Sequence, residues 1–214
     1  EKVERQRQML TERLLSDQPE MTRSFLLERK LLAFSKSGTR SQVHRPAYPD
    51  YIAVKRFSAA DDVIGEQGFL GLYTSPVYTE RPDNIPLLRR KIANVRRRSG
   101  LDPRGFDGKV LTQVLATFPR DELFQMSEDE LLATATAIAH IHERRRTRVF
   151  LRRDRYGLFF TCLVFMPREL FNTQLRVRIQ QLLKSTLGAE DAPFDAFFSE
   201  SILVRLHFTI RVPP

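Results

Sequence analysis

At 214 residues the chain is long enough for one large or two small domains, and 42% hydrophobic residues can fill ordinary cores. No apolar run approaches the roughly eighteen residues of a membrane span, and a single cysteine excludes an intramolecular disulfide framework and fits a reducing compartment, the cytoplasm by default. Lys and Arg number 35 against 26 acids, a net charge of +9, which points toward an anionic partner: nucleic acid, an acidic membrane surface or an acidic subunit.

The chain opens with Glu1-Lys2-Val3-Glu4-Arg5, mid-helix in character and without an initiating Met, as expected of a piece of something longer. Glu1 to Ser16 reads as a charged helix with a thin apolar line at Val3, Leu10 and Leu14. Such a helix is marginal alone, and residues 1–30 stay unassigned. A loop follows around Asp17-Gln18-Pro19. Phe25 to Phe34 is apolar without a clean period, and Ser35 to Arg45 is polar with Gly38, hence loop or edge. Tyr51 to Phe57 is strand-like, Ser58 to Asp62 is a turn, and Val63 to Tyr73 is a second strand, together a hairpin on an antiparallel sheet. Gly65, Gly68 and Gly71 in that second strand predict bulges or close backbone approach. They do not form a phosphate loop, because no G-x-G-x-x-G or G-K-[ST] occurs.

Pro76 to Pro86 reads as a linker. Leu88, Ile92 and Val95 mark a helix stripe, closed by Gly100 and Pro103. Asp107 to Phe118 predicts another helix, with Val110, Leu111, Val114 and Leu115 on one face. A domain boundary is expected near Phe118 to Gln125. Ser127-Glu-Asp-Glu130 is a capping box, with Met126 and Leu131 as its hydrophobic staple, and starts a helix over Glu128–Glu143. His140 and His142 lie two apart on that helix and cannot share a metal.

Arg146 to Pro167 is the stretch around which the chain is arranged. Two β-rich runs flank the turn Asp154-Arg155-Tyr156-Gly157, where Gly157 supplies a positive φ. The second run is nearly all apolar, as a strand buried on both faces would be. Asn172 or Thr173 caps a helix to about Leu187, ended by Gly188. Phe194 to Ser199 is a short strand. Ser201 to Val212 alternates cleanly, with Ile202, Val204, Leu206, Phe208, Ile210 and Val212 on one side and Arg205, His207, Thr209 and Arg211 on the other. The second half thus reads helix, strand, strand, helix, strand, strand. This is an α+β arrangement on an antiparallel sheet, helices on one face and a basic, polar opposite face, of ferredoxin-like kind.

Chemistry is conspicuously thin. Cys162 shares a face with Phe160 and Val164 and reads as a small core hydrophobe. Asp121 with Glu122, and Asp129 with Glu130, are paired acids, the second pair part of the capping box. No G-x-S-x-G, no Ser/His/Asp order and no dinucleotide fingerprint occurs. The short arginine runs, two of them at helix C-termini, suit the helix dipole better than nucleic acid.

Six stretches, in order, resemble one family. They are Arg40-Ser-Gln-Val-His-Arg-Pro-Ala-Tyr-Pro-Asp-Tyr-Ile-Ala-Val-Lys-Arg-Phe57, Gly68-Phe-Leu-Gly-Leu-Tyr-Thr-Ser75, Ile85-Pro-Leu-Leu-Arg-Arg-Lys-Ile92, Phe118-Pro-Arg-Asp-Glu-Leu-Phe-Gln125, Arg148-Val-Phe-Leu-Arg-Arg-Asp-Arg-Tyr-Gly157 and Leu206-His-Phe-Thr-Ile-Arg-Val-Pro-Pro214. From about Leu31 to Pro214 the chain resembles the N-terminal, non-catalytic part of the large bacterial NAD-specific glutamate dehydrogenases. The resemblance implies that residues 31–84 form a PAS-like antiparallel sheet, 85–126 a helical connector and 127–214 an ACT-like domain. The order read here departs from the usual ACT order of strand, helix, strand, strand, helix, strand. The family oxidises L-glutamate to 2-oxoglutarate and ammonia with NAD in a Rossmann-type domain far C-terminal to this region. No catalytic, cofactor-binding or metal residues are therefore expected here, NAD belonging to the catalytic domain.

The function this implies is a regulatory and oligomerisation segment, inactive alone, in a cytoplasmic homo-oligomer. Its partners would be other domains and subunits of the parent enzyme and an amino-acid effector, with no membrane. Arg152, Arg153, Arg205, His207 and Arg211, on the basic side of the sheet, are the candidate effector or interface residues. The alternative is a basic anion- or nucleic-acid-binding module, recognisable by steep loss of binding with salt. A self-contained enzyme finds no nucleophile–base or metal set to support it.

Overall fold

The computed structural model of the chain describes residues 17–41, 47–141, 146–199 and 201–212. The helix expected over Glu1–Ser16 and the side chain of His142 lie outside the described residues. Helix α1 (Glu20–Leu27) leads into a three-stranded antiparallel sheet, β1 (Leu32–Lys36), β2 (Asp50–Phe57) and β3 (Val63–Gly71), in that spatial order. The aperiodic stretch Phe25–Phe34 divides between α1 and β1. α1 buries only Thr22 and Phe25, too narrow a stripe to register as a period.

The β2–β3 hairpin turns at Ser58–Asp62, with Ser58 N donating to Asp62 O at 2.8 Å. The register shifts between Arg56 and Phe57, so Ile64 bulges from β3 beside Gly65. A Cβ on Gly68 would come within 2.7 Å of the Tyr51 ring, so that glycine permits a close approach. β3 stops at Gly71, two residues before the expected end.

Pro76 to Pro86 is not a linker. It forms α2 (Ser75–Thr79) and a 3-10 turn (Pro82–Asn84), each with a proline in its opening residues, where its fixed φ starts a helix instead of breaking one. Then come α3 (Pro86–Arg98), α4 (Phe106–Thr117), α5 (Arg120–Gln125) and α6 (Glu128–Ala139). Gly100, just beyond the Ser99 cap of α3, takes φ 68° as its position demands. Both halves of the Ser127/Glu130 capping box are present. The stretch Phe118–Gln125 forms α5 and buries Glu122, Leu123 and Phe124. Leu88, Ile92, Leu111, Leu115, Leu131 and Ile138 join α3, α4 and α6 in one core.

β4 (Arg148–Arg153) and β5 (Phe159–Pro167) form the expected hairpin, with Gly157 at φ 76° in its turn. α7 (Thr173–Leu187), capped by the Asn172 side chain and closed by left-handed Gly188, leads to β6 (Phe194–Phe198) and β7 (Leu203–Arg211). The strands lie in the order β4-β5-β7-β6, all neighbours antiparallel. The element order matches the sequence reading, and the sheet is the ferredoxin-like one entered at a different strand.

Contrary to the sequence reading, helices α6 and α7 do not share a face of this sheet. Cys162, Val164, Met166, Leu206 and Phe208 face α7, whereas Leu163, with Phe150 and Phe165, joins the α3–α6 core. The cause is β5 itself, apolar on both faces and so in need of two covers.

Candidate functional site

The polar side of the second sheet is an internal seam, covered by this chain's own helices and first sheet. At its centre lies Glu122 of α5, among the few charged side chains that are fully buried. Arg152 of β4 grips it with both arms, Nε on Oε2 at 2.8 Å and Nη2 on Oε1 at 3.0 Å. Thr161 of β5 donates to Oε2 at 3.1 Å, and Arg152 Nη2 also reaches Gln125 Oε1 at 2.8 Å. His207 Nε2 stands 3.7 Å from Oε1, an electrostatic contact too long for a hydrogen bond. Burial pushes the Glu122 carboxyl up, but Arg152 and His207 outweigh it and hold the group well below the usual carboxylate range.

Beside this cluster, Lys36 of β1 bridges Asp50 at 2.9 Å and Asp121 at 3.0 Å, and Asp50 Oδ2 accepts from Tyr73 N at 3.0 Å. Burial disfavours the Lys36 ammonium, yet the two carboxylates raise its pKa above the ordinary value. The same burial raises Asp50 despite its lysine. Lys91 of α3 donates to three carbonyls, those of Leu123, Phe124 and Met126, and so caps the end of α5. Burial pushes that ammonium down to about 8.

The β4–β5 turn inserts into the first sheet. Asp154 accepts from Ser35 Oγ at 2.8 Å, Arg155 pairs with Glu28 at 3.1 Å, and Tyr156 Oη donates to Glu66 at 3.1 Å. The Tyr156 ring stacks edgewise on Phe25 and Tyr51, with centroids 5.1 and 5.6 Å away.

At the opposite end of the seam a cleft of about 510 Å3 opens between α4 and the β6–β7 hairpin. Val114, Phe118, Ile138, Phe165, Phe197 and Leu203 make its apolar wall, and Gln113, Thr117, Ser199, Ser201 and Arg205 its polar one. Arg205 Nη1 donates to Thr117 O, and its guanidinium lies 4.6 Å from the Phe197 ring centroid. Burial and the nearby Arg120 lower its pKa from the ordinary value, and it stays a cation at neutral pH. Its Nε is buried without a hydrogen-bond partner among the described residues.

Of the five residues singled out in the sequence, the structure brings Arg152, His207 and Arg205 to this seam. Arg153 lies on the other side of β4, over the Phe160 ring, and Arg211 is exposed near Gly38 at the sheet's end. Sequence reasoning missed Glu122, Lys36, Asp50 and Lys91. A charge aimed at a backbone carbonyl leaves no spacing signal. In the Phe-Pro-Arg-Asp-Glu-Leu-Phe run, Phe118, Leu123 and Phe124 around Glu122 are the one hint. Asp50, Asp121 and Glu122 are each paired with a cation, His207 Nε2 and Arg205 Nε are buried without a hydrogen-bond partner among the described residues, and no three His, Cys, Asp or Glu among those residues could hold a metal. The seam is built to hold two layers together and to present one cation in a cleft.

Residues 85–144 match the family model described as glutamate dehydrogenase, helical motif 1, and residues 148–214 that described as glutamate dehydrogenase, ACT2 domain. The NAD-specific glutamate dehydrogenase of Halomonas elongata is 48% identical over 182 residues, 85% of this chain and 11% of that protein. That of Pseudomonas aeruginosa is 49% identical over 191 residues, 89% of this chain and 12% of the relative. The Mycobacterium tuberculosis protein of the same name is 33% identical over 184 residues, 86% of this chain and 11% of the relative. The chain spans about a tenth of the length of the curated relatives it matches. With two matched units on either side of the seam, the chain belongs to the glutamate dehydrogenase family as its helical motif 1 and ACT2 region.

Proposed function

We propose that this chain is a regulatory and oligomerisation segment of a cytoplasmic NAD-specific glutamate dehydrogenase, inactive alone. On this reading the whole enzyme oxidises L-glutamate to 2-oxoglutarate and ammonia with NAD. The present residues carry no phosphate-cradling glycine loop and no part of the hydride transfer. The first sheet with α1 is its PAS-like part, the α3–α6 layer the connector, and the second sheet the ACT-like sensor.

The observation that carries the reading is the cleft at Arg205, a half-buried cation between a helical layer and a sheet, its Nε buried without a partner among the described residues, backed by an apolar wall. A small amino-acid carboxylate fits that chemistry, its charge on the guanidinium and its side chain on Phe197 and Leu203. Bound there, it would favour one setting of the seam over another by its differential contacts, which is what regulation requires. The nucleic-acid module is the weaker reading, because Arg152, Arg155 and Arg96 are paired with acids of this chain and do not offer their charge to a phosphate backbone.

The test uses both the chain and the whole enzyme. Glutamate, aspartate or 2-oxoglutarate should raise the thermal midpoint of the chain, and Arg205→Ala should abolish that rise. In the whole enzyme the same change should weaken amino-acid modulation about tenfold while the unmodulated rate holds within about twofold. A midpoint indifferent to all three ligands, together with unchanged modulation, would remove the effector. NADH production by the purified chain would refute its inactivity.

A further inference from the structure

Natural sheets protect their edge strands with short length, proline or outward charge. β1, one edge of the first sheet, is five residues long and ends in Lys36. β3, the other edge, is built differently. It runs nine residues without Pro, Lys or Arg. Its one acid, Glu66, is turned inward, where it accepts from Tyr51 Oη at 2.7 Å and Tyr156 Oη at 3.1 Å. Among the described residues β3 pairs with β2 alone, which leaves its outer row of N–H and C=O groups open. Ile64, Phe69 and Leu70 are 61%, 56% and 58% exposed. Consecutive residues of a strand point to opposite faces, so Phe69 and Leu70 cannot belong to one surface patch. A strand laid along the edge would cover both.

We infer that β3 pairs antiparallel with β3 of a second copy, about a two-fold axis at Gln67, and joins two three-stranded sheets into a continuous one. The inference rests on the oligomerisation half of the function proposed above. The sequence of the strand selects a second copy over a foreign strand, because it is complementary to itself. In this register Glu66 meets the partner's Gly68, Gly65 meets the partner's Phe69, and Ile64, at the bulge, meets the partner's Leu70. No like charges oppose, and the exposed apolar residues pair at the ends of the ladder. A Cβ on Gly65 would find nothing within 4 Å, so the partner's Phe69 ring has open space over that glycine, an arrangement that shields an edge glycine from water. The two Gln67 amides, each with donor and acceptor, can satisfy one another. Moving the axis to Glu66 would set two carboxylates face to face, and moving it to Gly68 would take Phe69 off Gly65 and lose the Gln67 pair. A contact of this kind is isologous and closes as a dimer.

Because the axis sets residue 67 against itself, charge reversal gives the test. The chain, Gln67→Lys and Gln67→Glu are each examined by sedimentation velocity at low salt, then the two variants are mixed in equal amounts. The unsubstituted chain should dimerise as concentration rises. Each variant alone should show a dissociation constant raised about tenfold or more, and the mixture should recover the dimer. Gln67 is exposed, so an unchanged thermal midpoint of the monomer controls for folding. A dimer indifferent to the charge at residue 67 would overturn this surface while leaving oligomerisation standing. A chain monomeric at every soluble concentration would overturn both.

Discussion

Glu122 shows how much a single buried charge can decide. Removing it strands Arg152 in the seam, and breaking a buried pair from one side typically costs about 3–5 kcal/mol. Glu122→Gln should therefore lower the urea midpoint sharply, and adding Arg152→Met to Glu122→Met should recover much of the loss, because an apolar pair leaves no charge stranded. The pH dependence follows from the sign of the shift. A carboxyl depressed in the folded state contributes stability that is complete above its unfolded pKa of about 4.3 and is lost as pH falls toward the folded value. Asp50 and Asp154 are raised by burial, so acid favours their folded forms and opposes that loss. Unfolding measured from pH 7 downward should thus be less steep below about pH 4.3 in Glu122→Gln than in the unsubstituted chain. An equally steep acid limb would assign it to other carboxylates. The sequence hints at this only through the apolar neighbours of Glu122, which is otherwise one of two acids beside an arginine. Its partners Arg152, Thr161 and His207 lie far along the chain.

At the scale of the element, legibility tracks how local the determinant is. The helix after Ser127 is written within a few residues, as a cap, a reciprocal glutamate and a staple. Ser127→Ala removes one acceptor from the first turn and should cost about 1 kcal/mol in denaturant unfolding. An unchanged midpoint would show that the cap contributes nothing. α3 and α7 carry their stripes and terminal glycines just as openly, and α4 its stripe. α1 and α2 do not, since one buries two residues and the other none. The β4–β5 hairpin was legible as a hairpin, but not as a plug: Tyr156 fills a space made by Phe25 and Tyr51 from elements more than a hundred residues earlier. Tyr156→Ala should loosen the first sheet selectively. Hydrogen exchange of β1–β3 amides should then quicken more than that of β5 and β7. Uniform acceleration would mean that the two sheets open as one.

For the whole molecule, the sequence supplied the number of helices around the second sheet but not their sides. The unbroken apolar run reports that β5 is covered on both faces, and which helix covers which face depends on the paths of long connections. The basic face that alternation places on β7 is real. What lies over it is α4 and α5, with the residual opening at Arg205 where the covering ends. The cations divide in a similar way: Arg152 and Lys36 are paired with acids and tie layers together, whereas Arg89, Arg90 and Arg97 stand exposed on α3.

The same double covering has a consequence for the lone thiol. Cys162 sits in β5 between Leu151 and Phe208 on the neighbouring strands, wholly buried, with burial pushing its pKa up to about 11. A protonated thiol in such a place is inert, so an alkylating reagent can reach it only when the strands on either side part. Its modification rate, followed by mass, is then a clock for the opening of the sheet, set into the protein without any added probe. Glu122→Gln should make that clock run faster and Gln67→Lys should leave it alone.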